Sequence, residues 1–410
     1  MARSPEMIFD LGLPKGEDQQ AFLDFLNYLL PLKLSVTSAT AHVDESGTFI
    51  SECFATVPSG AKLSWSIFIS HDGVLTKLLV KRVPDTGRGE WRSQANDLVS
   101  EALASALAKK RTKFFKRSAF YYVGQQLSGE YWYRNVRIAP GFPEDPFPSL
   151  INAERVVFID QDIQATDAQH AWVIGEAVSK RLAARLSFLL GVGLYPLQHV
   201  QRWVWPVVDD KPAENSVRFQ AGFASPIPTP DRLPKKGKLA PAGKCSGSLQ
   251  DPQHVTVGKI LEMPSEWRKV LQWNDASEPS TVAAFDRASR LFQVALVSGV
   301  TFPSVGLAYR VAAVDAASQG TPDSIGFKQF VRRYAPHSTE FLDFAYGAGR
   351  SGHFHAGEFP VGEFSERQSF SSAFFDAEIV QRDWMVRQSQ EMCSTAINAW
   401  ILEELSKSSS

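Results

Sequence analysis

The chain has 410 residues, 44% hydrophobic and 21% charged, with a formal net charge of -1. That length allows two or three domains, and the near-zero charge excludes a global field that would announce a nucleic-acid or membrane partner. Its three cysteines, Cys53, Cys245 and Cys393, are odd in number and far apart. They predict neither a disulfide framework nor a zinc site, and they fit a reducing, cytoplasmic setting. The opening residues "MARSPEMIFDLGLPKGEDQQ" lack the apolar core of a signal peptide, and no apolar run reaches the ~20 residues of a membrane span.

In chain order, "QAFLDFLNYLLPL" predicts a short amphipathic segment. Residues 33 to 83 then predict an antiparallel meander: "LSVTSATAHV", "GTFISECFATV", "KLSWSIFISHDG" and "LTKLLVKRV" alternate or run apolar at strand length. "DESG" and "HDG" between them predict hairpin turns. "EWRSQANDLVSEALASALAKKRTKFF" predicts a helix, with Leu98, Ala102, Leu103 and Leu107 on one face. Its end is basic, at Lys109, Lys110, Arg111, Lys113, Lys116 and Arg117, with Phe114 and Phe115 between. This fits a solvated helix end favoured by the macrodipole and also a phosphate-binding patch, with Lys109, Lys110 and Arg111 as its candidates.

"SAFYYVGQQL" and "YWYRNVRIAP" predict an aromatic hairpin, and "ERVVFIDQDI" a short strand. The next segment carries a helical stripe at Trp172, Ala177, Val178, Leu182, Leu186 and Leu189 or Leu190, with Thr166 or Asp167 as its cap. "VQRWVWPVV" and "SVRFQAGF" read as strands. Residues 225–254, rich in Pro, Lys, Gly and Ser, read as a loop or linker.

From about Glu262 the pattern turns helical. "EPSTVAAFDRASRLFQVALVSG", "SVGLAYRVAAVDAASQG", "SIGFKQFVRRYAP" and "STEFLDFAYGAG" predict four helices, and "FFDAEIVQRDWMVRQSQEMCSTAINAWILEELSK" a long last one with Cys393, Ile397, Trp400 and Ile401 inward. The expected fold class is an α+β N-terminal part with an antiparallel sheet (residues 1–262), then an all-α bundle (263–410). From Leu271 to Ser410 there are 11 Lys/Arg against 16 Asp/Glu. That excess of acid weighs against indiscriminate RNA binding and leaves a local cleft of Arg332, Arg333 and Arg350.

The chemistry concentrates in "FLDFAYGAGRSGHFHAGEFPVGEF", residues 341 to 364. Two of the chain's eight histidines, His353 and His355, follow a glycine-flanked Arg350. On a regular α-helix Arg350 and His355 would stand roughly 140° apart. They would converge only if the backbone breaks, which the glycines and Pro360 favour, or if a second chain supplies the partner.

A helical segment with "RSGHFH" at the join after its fourth helix resembles a HEPN domain, marked by Arg, four to six residues, then His. "YGAGRSGHFHAGE" is similar to the ApeA-like branch of that family, with Tyr346 ahead of Arg350 and Ala356 and Gly357 after His355. The resemblance covers roughly residues 266 to 405. It implies a metal-independent endoribonuclease without cofactors, working as a homodimer with RNA as substrate (tRNA or mRNA among the candidates). It also implies a toxin-like role in bacterial antiphage defence, under an unknown trigger acting on the N-terminal part. Arg350 would stabilise phosphate charge and His355 act as general acid or base. His353 is a competing candidate, to orient the leaving group or simply lie on the surface. Ser351 fits a phosphate contact or a helix cap. Glu358 fits a partner for an imidazole or a helix start. Three other readings stand beside this one: a non-catalytic nucleotide-binding or scaffold fold, an accessory of a nucleotidyltransferase, and a glycine-rich loop with a structural Arg–carboxylate pair. His353, His355 and Glu358 as metal ligands lack a second helix offering partners.

Overall fold

The computed structural model describes residues 6–13, 15–84, 86–87, 89–107, 111–142, 154–165, 168–196, 201–204, 207–208, 211–212, 218–221, 230–245, 247–249, 260–273, 279–364 and 377–407. Antiparallel sheets come first and a helical region follows. The chain divides into two compact units: Met1–Lys116 with Asp162–Gly175, and Arg117–Gln161 with Glu176–Ser410. The expected boundary at residue 262 therefore falls inside the second unit. One buried cluster runs from Phe120 through Leu194 to the helical residues Phe285, Phe330 and Trp400, so sheet and helices there share a core.

In the first unit, β2 (Ser35–Val43), β3 (Phe49–Thr56), β4 (Lys62–Ile69) and β5 (Leu75–Arg82) form the expected meander. Asp44 closes the first turn by accepting from the N–H groups of Ser46 and Thr48, both at 2.9 Å. Gly47 and Gly73 take the left-handed backbone of their hairpins. A further strand, β1 (Glu6–Leu13), pairs antiparallel with β5, and sequence reading missed it. Its Met7, Phe9 and Leu11 alternate, but what makes the segment a strand is its pairing with the distant β5, which no local pattern records. Helices α1 (Glu17–Lys33) and α2 (Trp91–Ala106) bury Phe22, Phe25, Leu26, Leu98 and Val99 with Trp65 and Leu78 of the sheet. α2 ends earlier than expected. Lys113, Phe114, Phe115, Lys116 and Arg117 lie on β6 (Thr112–Val123) and not on a helix end. Aromatic residues favour strand, and tertiary pairing overrides the helical reading.

The second sheet has the order β10-β6-β9-β8-β7, with β7 (Tyr131–Tyr133), β8 (Val136–Pro140), β9 (Glu154–Ala165) and β10 (Tyr195–Pro196). The hairpin is thus β7–β8 alone; "SAFYYV" in β6 pairs with β9 and β10 instead. β9 runs two residues past the expected strand, and its buried Asp160 is paired inside. Arg117 grips Asp160 with two nitrogens at 2.7 and 2.8 Å, Arg137 bonds Asp160 at 2.9 Å, and Arg137 also bonds Glu130 at 2.6 Å. α3 (Ala168–Leu190) buries Leu182, Leu186, Leu189 and Leu190, while Trp172 is exposed and so leaves the expected stripe. Its expected caps, Thr166 and Asp167, lie outside the described residues. β11 (Gln201–Val204) pairs with β14 (Arg218–Ala221), and β12 (Val207–Val208) with β13 (Lys211–Pro212). Part of the expected linker is docked: Glu130 N–H donates to Pro241 O at 2.8 Å, and Gly243 packs on the Tyr131 ring.

The helical region comprises α4 (Trp267–Gln272), α5 (Pro279–Gly299), α6 (Pro303–Ser318), α7 (Phe327–Tyr334) and a C-terminal helix, Ala377–Lys407. Glycine lets α5 and α6 approach: a Cβ on Gly306 would lie 2.8 Å from the Cα of Gly299. Cys393, Ile397, Trp400 and Ile401 are buried, as their spacing predicts. Among the described residues no helix is long and apolar enough to cross a membrane.

Candidate active site

The expected fourth helix is a relay of three windings. A 3₁₀ stretch, Pro336–Phe341, gives one α-helical turn, Leu342–Phe344, and then a π-helix, Ala345–Ala356. The π-helix ends at Gly357, whose φ of 68° is the left-handed backbone that stops a helix. The backbone therefore does not break at the glycines, as the sequence suggested. It widens, and in a π-helix residue i pairs with i+5. Positions 350 and 355 thus sit one turn apart on a single chain, and the 140° problem of a regular helix disappears.

Gly349 makes this winding fit. A Cβ there would stand 2.7 Å from Leu307 Cδ2 and 2.9 Å from its Cγ, with α6 directly behind. Gly349→Ala is expected to cost about 1–3 kcal/mol, read as a lowered denaturation midpoint. An unchanged midpoint would mean that Leu307 yields freely.

Arg350 is half-buried. Its Nη2 lies 3.1 Å from Asp315 Oδ2 on α6, and its Nη1 donates to the Tyr346 hydroxyl oxygen at 3.3 Å. Tyr346, one turn earlier, is braced in turn by the Phe327 ring at 5.5 Å. Burial pushes the Asp315 carboxyl above its ordinary value, with Arg350 pulling against that shift. Two contacts fix the guanidinium and leave its other N–H groups for an anionic ligand.

The two imidazoles differ. His355 is exposed and makes no hydrogen bond or ion pair with the described residues. His353 is half-buried between the Phe354 and Phe359 rings, at 5.3 and 5.0 Å, and its Nδ1 lies 3.2 Å from Glu358 O. A carbonyl only accepts, so Nδ1 carries a proton and Nε2 faces away from that bond.

No protein-family model matches the chain, and no curated protein does. The site therefore rests on its own geometry.

The remaining expected residues divide. Ser351 lies within the π-helix, half-buried, and so caps no helix start. Glu358 follows the helix end rather than opening a helix; its backbone carbonyl, not its carboxylate, meets His353, while the carboxylate lies over Gly352. Arg332 and Arg333 are on α7, where Arg333 pairs with Glu403 at 2.8 Å. Arg350 is likewise paired with Asp315, so two of the three arginines of the expected cleft already have carboxylate partners. Arg111 belongs to the first unit, and Lys109 and Lys110 lie outside the described residues. Among the described residues no three His, Cys, Asp or Glu side chains gather as a metal site would need.

Sequence reading missed Asp315. The signal was present: Asp315 is the lone acid of a mostly apolar helix, and a half-buried carboxylate there calls for a cation. Asp315 holds Arg350 from the neighbouring helix α6, which makes it a positioning residue. Asp315→Ala is expected to loosen Arg350 and weaken binding of an anionic ligand at its guanidinium on the order of tenfold. Unchanged affinity would show that Tyr346 alone suffices.

Proposed function

We propose that the chain is a metal-independent endoribonuclease of HEPN type. The observation that carries this reading is the π-helical winding, which sets a braced Arg350 and an exposed His355 one turn apart. The reaction needs few groups. The RNA 2′-oxygen attacks the adjacent phosphorus, the 2′-O–P bond forms and the P–O5′ bond breaks. His355 moves a proton, from the 2′-hydroxyl or to the departing 5′-oxygen, because imidazole is the side chain suited to both at neutral pH. Arg350 meets the charge that builds on the non-bridging oxygens, with no reorganisation because Asp315 and Tyr346 already hold it.

The products are a 2′,3′-cyclic phosphate and a 5′-hydroxyl. The protein works in the cytoplasm as a homodimer through its helical region, cutting RNA as a toxin-like effector in antiphage defence. Its N-terminal part restrains the site until a trigger arrives. This role rests on the resemblance of the 341–364 motif to the HEPN family. The free state of Cys53, Cys245 and Cys393 fits a reducing compartment.

Full-length protein incubated with tRNA and total RNA in EDTA tests the reading. Cleavage in the chelator supports it. Cleavage that appears only with magnesium and a nucleotide, or a target that gains mass, favours an end-modifying accessory instead. No cleavage in any extract favours a scaffold.

A further inference from the structure

Beside the Arg350–His355 pair runs an unbroken row of six aromatic rings. Phe302 stacks on Phe364 at 5.6 Å with 17° between planes. Phe364 meets Phe359 at 4.6 Å, Phe359 meets His353 at 5.0 Å, His353 meets Phe354 at 5.3 Å, and Phe354 meets Tyr309 at 5.7 Å. Three of these are far more exposed than a core phenylalanine: Phe364 at 67%, Phe354 at 47% and Phe302 at 37%.

The row is fixed in place. Glu363 accepts from the Ser304 N–H at 2.6 Å and the Ser304 hydroxyl at 2.7 Å, at the start of α6. The Val361 N–H donates to the same hydroxyl at 3.1 Å. A carboxylate at a helix N-terminus is well placed electrostatically. It staples the 359–364 segment to α6, so Phe364 is presented to solvent by a fastened backbone. Phe354 also neighbours His355 in sequence and, on the π-helix, stands about one turn from Arg350.

The geometry points to a stacking platform for the unpaired bases of single-stranded RNA. This rests on the nuclease reading above and adds the surface of this chain that would hold the bases. A bare apolar face would suit many partners. Here ring faces border a braced cation, and single-stranded RNA presents that same alternation of flat bases and phosphates. A duplex hides its base faces and gains nothing from the row. In-line attack by a 2′-oxygen also needs a flexible, unpaired backbone, so platform and chemistry select the same substrate.

The test uses the full chain carrying His355→Ala, so that RNA stays intact. The probes are a mixed-sequence single-stranded oligoribonucleotide containing 2-aminopurine, and its blunt duplex. Phe364→Ala and Phe354→Ala are each expected to weaken single-strand binding on the order of tenfold and reduce 2-aminopurine quenching. Duplex binding and the melting temperature should not move, and Phe364→Trp should restore affinity. Unchanged single-strand affinity in both alanine variants overturns the proposal. So does conversion of a dimer to monomers with RNA affinity intact, which would make the row a contact between two copies of this chain. Phenylalanine-dependent binding by a protein that never cleaves RNA would remove the nuclease reading and leave the platform standing.

Discussion

Arg350→Ala and His355→Ala are each expected to reduce RNA cleavage at least ~100-fold while leaving the fold intact, since lost transition-state donors cost that much in comparable sites. His355 is exposed and makes no bond among the described residues, so its removal disturbs no packing. Arg350 is different, because its loss leaves the half-buried Asp315 without a counter-ion. Arg350→Lys separates the two effects: it keeps the charge beside Asp315 and loses the planar fork that spans phosphate oxygens. Stability near wild type with activity near that of Arg350→Ala is the expected pattern. His353→Ala should cost less than His355→Ala, because its Nδ1 is committed to the Glu358 carbonyl. Equal losses at both histidines would return His353 to a direct role. Quantified cleavage of one RNA, with thermal melts of every variant, checks all four.

The largest effect on stability is expected at Asp160. Its carboxylate joins Arg117 and Arg137, and Arg137 joins Glu130, in a chain whose side chains are at most 6% exposed. Asp160→Ala removes the buried carboxylate that Arg117 and Arg137 share and is expected to cost about 3–5 kcal/mol, read by chemical denaturation. Glu130 adds a pH dependence. Burial pushes its carboxyl up, but the Gly237 N–H, Arg137 and Trp132 together hold it below its ordinary value. The unfolded chain therefore takes up the proton first on acidification. The stabilising contribution is complete above the ordinary carboxylate range and is lost as pH falls through the lower folded value. A loss under 1 kcal/mol for Asp160→Ala would mean that the arginines find other partners.

The sequence made much of the backbone legible, and the misses share a cause. Alternating or apolar runs of strand length revealed β2 to β5, although β2 is exposed along its whole length, and three-to-four spacing revealed α5, α6 and the C-terminal helix. β1 and the early end of α2 were hidden because pairing with distant strands decides them, and no local pattern records a distant partner. Arg350 and His355 were legible as residues, and their spatial relation was not. Glycines signal permissiveness, and in this stretch they permit a wider helix rather than a break. Asp315 and Phe364 became part of the site only through contacts 35 and 62 residues away along the chain, at Arg350 and Phe302.

The central claim is that the π-helix carries a transesterifying ribonuclease site. End-group chemistry tests it most directly. RNA cut by the full chain in EDTA should give fragments that mass spectrometry reads as 2′,3′-cyclic phosphates paired with 5′-hydroxyls, and Arg350→Ala and His355→Ala should give none. Fragments ending in 3′-hydroxyls with 5′-phosphates, or cyclic ends that persist in both variants, would contradict it.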